Sequence, residues 1–388
     1  MKVLILGSGM YVTGKNYSKS GTILSSVLQS SMLIPISEVV VISYSQRSEK
    51  HTLRSAAYTC QKIGVQIPVS FEYLYNKEDS WFSRYLMEEK FDLCINSLPD
   101  HLHYDYTKFT LSCRIPTLVV KPLTPTYSEA EKLVNISKSE DTYCAVEFHK
   151  RWDESNLYLK NEILSGSVGE VLYFTVNYSQ QISIPTEHFK TWADKTNIFQ
   201  YLGIHYVDLI YFLTSKTPKS LSVYGTKKKL KSIGVDTWDS VHVSSVWGDV
   251  GSDSNDFYAH FNLNWIDPNS TSAMSDQKLM LVGTDGRVSL DQKNRGIEAV
   301  TNNNGIQTVN PYFASWLPNM EGTSSFGGYG YKSIFTFLAD VNNLKKGLST
   351  TEELNKTRPS AENSLISTRF IDVVTNNLKS GNINKTGL

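Results

Sequence analysis

The first 150 residues alternate short apolar, β-branched runs with longer segments of helical pattern, and this alternation restricts the possible folds more than any other feature. One segment, YSEAEKLVNISKSE at 127–140, has the spacing of an amphipathic helix. The runs typical of buried strands are KVLIL at 2–6, EVVVIS at 38–43, FDLCINS at 91–97, TLVVK at 117–121 and YCAVEF at 143–148. This order predicts an α/β domain with a doubly wound parallel sheet, whose ligand lies beyond the carboxyl ends of the strands.

The pattern changes after about residue 165, where strand-like runs follow one another with turn residues between them. These runs are VLYFTVNYSQ at 171–180, KSLSVYGT at 219–226, SVHVSSVWGD at 240–249, FYAHFNLNWI at 257–266, KLMLVGT at 278–284 and GIEAVT at 296–301. Helical patterns near 203–213, 331–346 and 361–379 interrupt or follow them. The second half therefore predicts an α+β domain with a large, mostly antiparallel open sheet.

Two domains follow from these patterns, the first at 1–148 and the second at 149–388. The C-terminal helices could pack back on the first domain. One face of the open sheet would stay free, and we expect it to pair with another copy of the chain as a homodimer or homotetramer.

Composition excludes several classes of function. Lys plus Arg and Asp plus Glu both total 38, so the zero formal charge gives no general attraction to nucleic acid or anionic lipid. No run approaches the roughly 18 apolar residues of a membrane span, and the N-terminal apolar run is too short for a signal peptide. The 4 cysteines form no CxxC pair, which favours buried thiols over a metal centre. We expect a soluble cytoplasmic protein.

The loop GSGMYVTGKNY at 7–17, directly behind the first strand, resembles two phosphate-binding motifs. Read from Gly9 it is GxxxxGK, the start of a nucleoside-triphosphate loop. That motif needs Ser or Thr after its lysine to bind magnesium, and here Asn16 follows Lys15. None of the other predicted strands ends on the acidic residue that would hold the same ion. A triphosphate site is therefore disfavoured.

Read from Gly7, the same loop is the start of a dinucleotide-binding turn, GxGxxG, with Val12 in place of the third glycine. Gly7 would make the tight turn and Gly9 would let the backbone approach a pyrophosphate. A following helix beginning near Met10 would offer its N–H groups to that charge. The N-terminal domain is then a Rossmann domain that binds a nicotinamide dinucleotide.

The end of the second strand bears on which dinucleotide binds. A free ribose usually meets an acidic residue there, whereas this chain has Ser43, Ser45 and Arg47. Hydroxyls and a guanidinium suit a 2′-phosphate, so NADP is favoured over NAD. Arg47 could equally be a water-facing residue at the start of a helix, and NAD stays possible.

Further motifs resemble those of the Gfo/Idh/MocA family of sugar and cyclitol oxidoreductases. They are NSLPDHLH at 96–103, VVKPL at 119–123, EFHKRWD at 147–153, TNIFQYLGIHYVDLIYFL at 196–213 and GTDG at 283–286. The resemblance covers nearly the whole chain, and the order and spacing of the motifs make the combination specific. It implies hydride transfer between NAD(P) and a sugar, sugar derivative or polyol, with Lys121 as acid or base and His205 assisting.

The resemblance also implies roles for other residues. Ser97, Pro99 and His103 would line the nicotinamide pocket, with Lys121 beside the cofactor. Tyr201 and His205 would contact the substrate and take part in the proton transfer. A third group would bind substrate hydroxyls or a phosphate, and its members are Lys150, Arg151 and Trp152.

Two positions depart from the family pattern. Tyr201 stands where an aspartate is frequent, and Val120 precedes the lysine where glutamate is common. These departures motivate one alternative, a non-catalytic nucleotide-binding sensor or scaffold. An alternative within enzymes is an NAD-dependent glycosidase, since the resemblance is to a superfamily that includes such enzymes. The HxH pair of His101 and His103 has no carboxylate or cysteine at ligand spacing, so we expect no metal.

Overall fold

The computed structural model describes residues 1–15, 21–78, 80–252, 254–320, 322–381 and 386–388. Asn16, which bears on the triphosphate motif, lies outside them. Contacts among residues divide the chain into two compact units. The first unit comprises Met1–Trp152 and Tyr312–Leu365, and the second comprises Asp153–Pro311 and Ile366–Leu388.

The first unit contains a six-stranded sheet in which every neighbouring pair is parallel. Its strands are β1 Lys2–Leu6, β2 Glu38–Ser43, β3 Val69–Tyr73, β4 Leu93–Asn96, β5 Thr117–Val120 and β6 Cys144–Glu147. The helices between them are α1 Met10–Thr13, α2 Thr22–Ser30, α3 Glu49–Ile63, α4 Trp81–Glu89, α5 His103–Ser112 and α6 Tyr127–Ser139. The order β3-β2-β1-β4-β5-β6 confirms the predicted doubly wound sheet.

Both faces of this sheet are buried, which explains why its strands have continuous apolar sequences. In β1, Val3 and Ile5 belong to the apolar cluster on one face, while Leu4 and Leu6 belong to the cluster on the other. Alternate side chains of a strand point to opposite faces, so helices must cover both sides of the sheet. The edge strand β3 escaped the sequence analysis because its five residues, VSFEY, are only partly buried and alternate with polar side chains.

The helix predicted after the glycine turn is much shorter than expected. It is the single turn α1, which ends at Gly14, and the longer helix α2 begins after Gly21. A Cβ atom on Gly21 would lie 2.3 Å from the carbonyl of Val12, so the chain before α2 packs directly against α1. Val12 is fully buried there, and Gly21 provides a close backbone approach.

Residues 153–311 form most of the second unit. Its helices are α7 Glu154–Leu164, α8 Ile204–Thr214 and α9 Lys229–Ser232. Its strands are β7 Val171–Gln181, β8 Thr217–Thr226, β9 Ser240–Gly248, β10 Phe257–Asp267, β11 Ser275–Gly283, β12 Arg287–Asp291, β13 Ile297–Thr301 and β14 Gly305–Val309. The segment 296–301, expected in the large sheet, instead forms β13 and pairs with β14 in a separate two-stranded sheet.

The rest of the chain returns to the first unit and then leaves it again. Its elements are β15 Ser315–Pro318, β16 Ser324–Gly327, α10 Tyr329–Lys345, α11 Thr351–Thr357, α12 Leu365–Ser380 and β17 Thr386–Gly387. Helix α10 places Ile334, Phe337 and Leu338 in the same buried cluster as Ile23 and Val27 of α2. The core of the first unit is therefore completed by residues that follow the first segment of the second unit, Asp153–Pro311, in sequence.

The large sheet of the second unit has the order β12-β11-β7-β10-β9-β8-β17 and is antiparallel except between β7 and β10. One face is apolar and buried. The other face is polar: His242 Nδ1 lies 2.9 Å from Asn262 Oδ1, and Asn262 donates to Asn177 Oδ1 at 3.1 Å. The sequence analysis predicted this mostly antiparallel sheet correctly, and pairing with another copy through its polar face stays a prediction.

Helices able to cross a bilayer are absent from the described part of the chain, since none is both long and apolar enough.

Asp153 carries a buried ion pair within the second unit. It caps α7 by accepting from Ser155 N at 3.1 Å and binds both terminal nitrogens of Arg295, at 2.5 and 3.3 Å. The two side chains are 1% and 9% exposed. Asp153→Ala would remove the carboxylate and leave the buried guanidinium without a counter-charge, so we expect a loss of about 3–5 kcal/mol in the free energy of unfolding.

Urea denaturation followed by circular dichroism measures this loss. The matched control is Asp249→Ala, which removes the partly exposed pair with Lys216 and is expected to cost at most about 1 kcal/mol. Equal effects of the two substitutions would contradict a special role for the buried pair.

Candidate functional site

The glycine turn after β1 has the geometry of a close-approach loop. Gly7 has φ +100°, and a Cβ atom there would lie 2.6 Å from the carbonyl oxygen of Ser97, so only glycine fits. The Gly7 amide donates to Ile42 O at 2.7 Å, which holds the turn against β2. At Gly9 nothing lies within 4 Å of the Cβ position. The turn is thus rigid at Gly7 and open at Gly9, as a bound pyrophosphate would require.

Hydroxyl groups connect this turn to the end of β2. The hydroxyls of Ser8 and Ser43 lie 2.7 Å apart, and Ser45 Oγ accepts from the Arg47 amide at 3.2 Å. The side chain of Arg47 is exposed. No acidic side chain occurs from 43 to 48. This edge therefore offers donors to a phosphate and lacks the carboxylate that a free ribose would meet.

Two aromatic residues at the same edge were missed by the sequence analysis. Tyr44 and Tyr75 follow β2 and β3, and their rings pack edge to face with centroids 5.9 Å apart. Both are more than half exposed. Tyr75 could not be placed without β3, whose sequence carries no strong strand signal.

His103 connects the segments that follow β4 and β5. Its Nδ1 lies 2.7 Å from Pro122 O and its Nε2 lies 2.8 Å from Leu98 O, and the residue is 1% exposed. Carbonyl oxygens only accept, so both contacts are hydrogen bonds only when the ring carries two protons. Pro99 begins the turn that leads into α5, and the Ser97 amide donates to Leu6 O at 2.8 Å at the base of the glycine turn. The imidazole acts as a link between loops, and its predicted place in a nicotinamide pocket stays a prediction.

Lys121 is a buried primary amine at the end of β5, only 7% exposed. Burial lowers its pKa to about 8, and the nearby carboxylates of Asp100 and Glu147 oppose that change by favouring the ammonium. An amine with a pKa this close to neutrality can both accept and release a proton under ordinary conditions.

Glu147 ends β6 and His149 follows it two residues later, and the sequence analysis singled out neither residue. Glu147 is 1% exposed, and its two carboxylate oxygens lie 3.0 and 3.1 Å from His149 Nδ1. The motif EFHKRWD contains both residues, but nothing in its spacing showed that they would pair.

The predicted substrate-binding residues 150–152 form a tight helical turn with His149. Lys150 and Arg151 are buried, and Trp152 is partly exposed. Arg151 N donates to Phe148 O at 3.0 Å, which closes the turn. These three residues belong to the first unit, immediately before the chain enters the second.

Tyr201 and His205 belong to the second unit. Tyr201 lies in a π-helical turn, Phe199–Gly203, and His205 lies in the first turn of α8 directly after it. The side chain of Asn197 caps this turn by accepting from the amides of Phe199 and Gln200 at 3.0 and 2.9 Å. His205 is buried, while the ring of Tyr201 packs edge to face on Phe189. The two predicted residues thus lie four positions apart in consecutive helical turns.

The structure therefore brings most predicted cofactor residues to one edge of the first unit's sheet and places Tyr201 and His205 together in the second. Within the described residues, no group of three or more His, Cys, Asp or Glu side chains is arranged to hold a metal ion.

Comparisons with known proteins place this architecture. A family model described as the GFO/IDH/MocA C-terminal domain matches residues 157–289. An uncharacterized oxidoreductase of Schizosaccharomyces pombe is 32% identical over 95 residues, which are 24% of this chain and 26% of that protein. The scyllo-inositol 2-dehydrogenase (NADP(+)) IolW of Bacillus subtilis is 27% identical over 121 residues, 30% of this chain and 33% of that protein. The matched stretches thus span about a quarter to a third of these curated relatives.

A solved structure is similar over the whole chain. The scyllo-inositol dehydrogenase from Lactobacillus casei, with bound NAD(H) and scyllo-inositol, has a TM-score of 0.67 at 14% identity. The similarity covers 100% of this chain and 98% of that one. At this low identity it establishes the fold.

The two glycines of the turn provide a matched test of its geometry. Gly7→Ala forces a side chain into the left-handed region and against the Ser97 carbonyl, so we expect a loss of about 1–3 kcal/mol in stability. Gly9→Ala has extended backbone and open space and should leave the melting temperature unchanged. Thermal unfolding of both variants checks this, and an equal loss in both would contradict the described turn.

Proposed function

We propose that the chain, whose residues 157–289 match the GFO/IDH/MocA C-terminal domain, is an NAD(P)-dependent oxidoreductase of that family acting on a CH–OH group of a sugar, sugar derivative or polyol. The buried amine of Lys121, whose pKa lies at about 8, is the observation that carries the proposal. It lies at the sheet edge that also bears the glycine turn, where doubly wound sheets bind ligands.

The chemistry requires a group that moves one proton. Oxidation of a secondary alcohol removes a hydride from carbon and a proton from the hydroxyl oxygen, which leaves a carbonyl. A bound nicotinamide supplies the hydride acceptor, or the hydride donor in the reverse direction. The neutral amine of Lys121 takes the hydroxyl proton during oxidation, and its ammonium returns a proton to the carbonyl oxygen during reduction.

The residues of the first unit fit a dinucleotide. Gly7 and Gly9 would bind the pyrophosphate, beside Met10 at the start of α1. Ser43, Ser45 and Arg47 would bind a 2′-phosphate, which supports NADP over NAD. A curated relative is named as an NADP-dependent enzyme, whereas a structural relative holds NAD(H).

The substrate class is inferred from chemistry and from the relatives' names. Both named relatives above act on scyllo-inositol by title, so a cyclitol or a similar polyol is our first candidate. His205 and Tyr201 would bind substrate hydroxyls through their ring nitrogen and phenol, and His205 would assist in the proton transfer. Trp152 would offer an apolar face, with Lys150 and Arg151 as donors.

The pH dependence of the rate tests the role of Lys121. The base form is neutral, so kcat/KM for alcohol oxidation should rise about tenfold per pH unit up to about 8 and then level off. Carbonyl reduction needs the ammonium and should fall above the same pH. Lys121→Met should lower both rates by at least about 100-fold, and Lys108→Met, on an exposed part of α5, should change neither.

Stoichiometry separates the alternatives. A glycosidase of this superfamily would turn over without net NADPH consumption, and a sensor would bind NADPH with no turnover of any sugar or polyol. Either result would overturn the proposed oxidoreductase activity.

Cofactor preference is tested by titrating NADPH and NADH against intrinsic fluorescence. Arg47→Asp removes a charged donor near the 2′-phosphate and should weaken NADPH binding about tenfold or more, with NADH binding unchanged or stronger. Arg54→Asp, an exposed residue of α3, is the control. Equal weakening for both cofactors in Arg47→Asp would contradict the NADP assignment.

A further inference from the structure

The end of β6 brings the carboxylate of Glu147 to the level of Lys121. Strands β5 and β6 are parallel, and Val120 is the register partner of Glu147. Lys121 and Glu147 therefore leave the sheet at the same edge, and each attracts the other electrostatically. Glu147 is almost completely buried, so its charge is poorly screened by water.

His149 holds this carboxylate in place. Its Nδ1 lies 3.0 and 3.1 Å from the two carboxylate oxygens, so one N–H is shared between them. The imidazole in turn packs on two aromatic rings, stacked on Tyr329 at 5.7 Å and tilted against Phe313 at 5.1 Å. Phe313 and Tyr329 pack on each other at 5.1 Å, so the ring is fixed by a small aromatic cluster of the same unit.

More than one carboxylate attracts the ammonium of Lys121. Asp100, in the turn after β4, is the second carboxylate that attracts the ammonium. His103, which links the loops after β4 and β5, is another titratable side chain at this edge, and Lys150 and Arg151 are buried cations in the turn after β6. Two buried carboxylates near one amine would strongly favour its protonated form. A hydrogen bond donated to one of these carboxylates weakens that preference.

We propose that Glu147 and His149 form a positioning pair for Lys121, in which the carboxylate favours the ammonium and the imidazole limits that effect by sharing the carboxylate. The inference rests on the proposed acid–base role of Lys121. It assigns to β6 an acidic residue whose effect on the lysine no sequence motif indicated. The pair acts through Lys121 and itself need not touch the substrate.

The test follows the titration of Lys121 directly, by NMR of the full chain labelled with ¹³Cε-lysine. The Lys121 resonance is identified by its loss in Lys121→Met. Glu147→Gln removes a negative charge and should lower the titration midpoint by about one pH unit or more. His149→Phe keeps the aromatic packing and removes the donor, so the carboxylate attracts the ammonium more strongly and the midpoint should rise.

Opposite shifts in the two variants are the signature of the pair, since a merely structural role predicts no such sign change. Glu131→Gln, an exposed residue of α6, should leave the midpoint unchanged. No shift in either variant, or shifts of the same sign, would overturn the inference. If Glu147→Gln does not fold, an unchanged or lowered midpoint in His149→Phe alone overturns it.

This titration needs neither cofactor nor substrate, which separates it from the proposed function. Opposite shifts without turnover of any sugar or polyol would support the pair and reject the reaction class. Where turnover is found, the pH profile of kcat/KM in each variant should shift in the same direction as the NMR midpoint.

Discussion

The parallel alignment of the six strands in the first unit is the constraint on which the candidate site depends. Parallel strands end at one edge, so residues far apart in sequence meet there: the glycine turn after β1, Ser97 after β4, Lys121 after β5 and Glu147 at the end of β6. The close contact between Gly7 and the Ser97 carbonyl shows how little space separates neighbouring loops. Any side chain at Gly7 would displace this edge, whereas Gly9 can change without steric conflict in the protein.

The electrostatics of Lys121 follow from the same alignment. Removing an ammonium from water is costly, and here the cost exceeds the attraction of Asp100 and Glu147, so the amine gives up its proton near neutrality. The Asp153–Arg295 pair is also buried, but there the carboxylate accepts directly from both terminal nitrogens of the guanidinium, and the pair stabilises the fold.

Much of this could be predicted from the sequence, because continuous apolar runs and the glycine turn are local signals. Five of the six strands, the α/β class, and the position of Lys121 at a strand end were predicted in this way. The missing features depend on contacts between distant residues. Strand β3 is a half-polar edge, Gly21 approaches the backbone of α1 closely, and β13 pairs outside the large sheet. Glu147 and His149 lie in a motif that we interpreted only for its neighbouring residues. Their arrangement depends on the rings of Phe313 and Tyr329, which lie far later in the chain.

That last dependence has a consequence for the order in which the protein is made. The ring of His149 packs on Phe313 and Tyr329, and α10 completes the core beneath α2, yet Phe313, Tyr329 and α10 all follow residues 153–311 of the second unit in the chain. During synthesis on the ribosome, the first 152 residues can form the parallel sheet but not its aromatic cluster. The imidazole beside Glu147 can pack on Tyr329, and so become rigid, only after residue 329 has emerged. Acquisition of the finished Lys121 environment is thus a late event of biosynthesis, separated from sheet formation by the translation of residues 153–311 of the second unit.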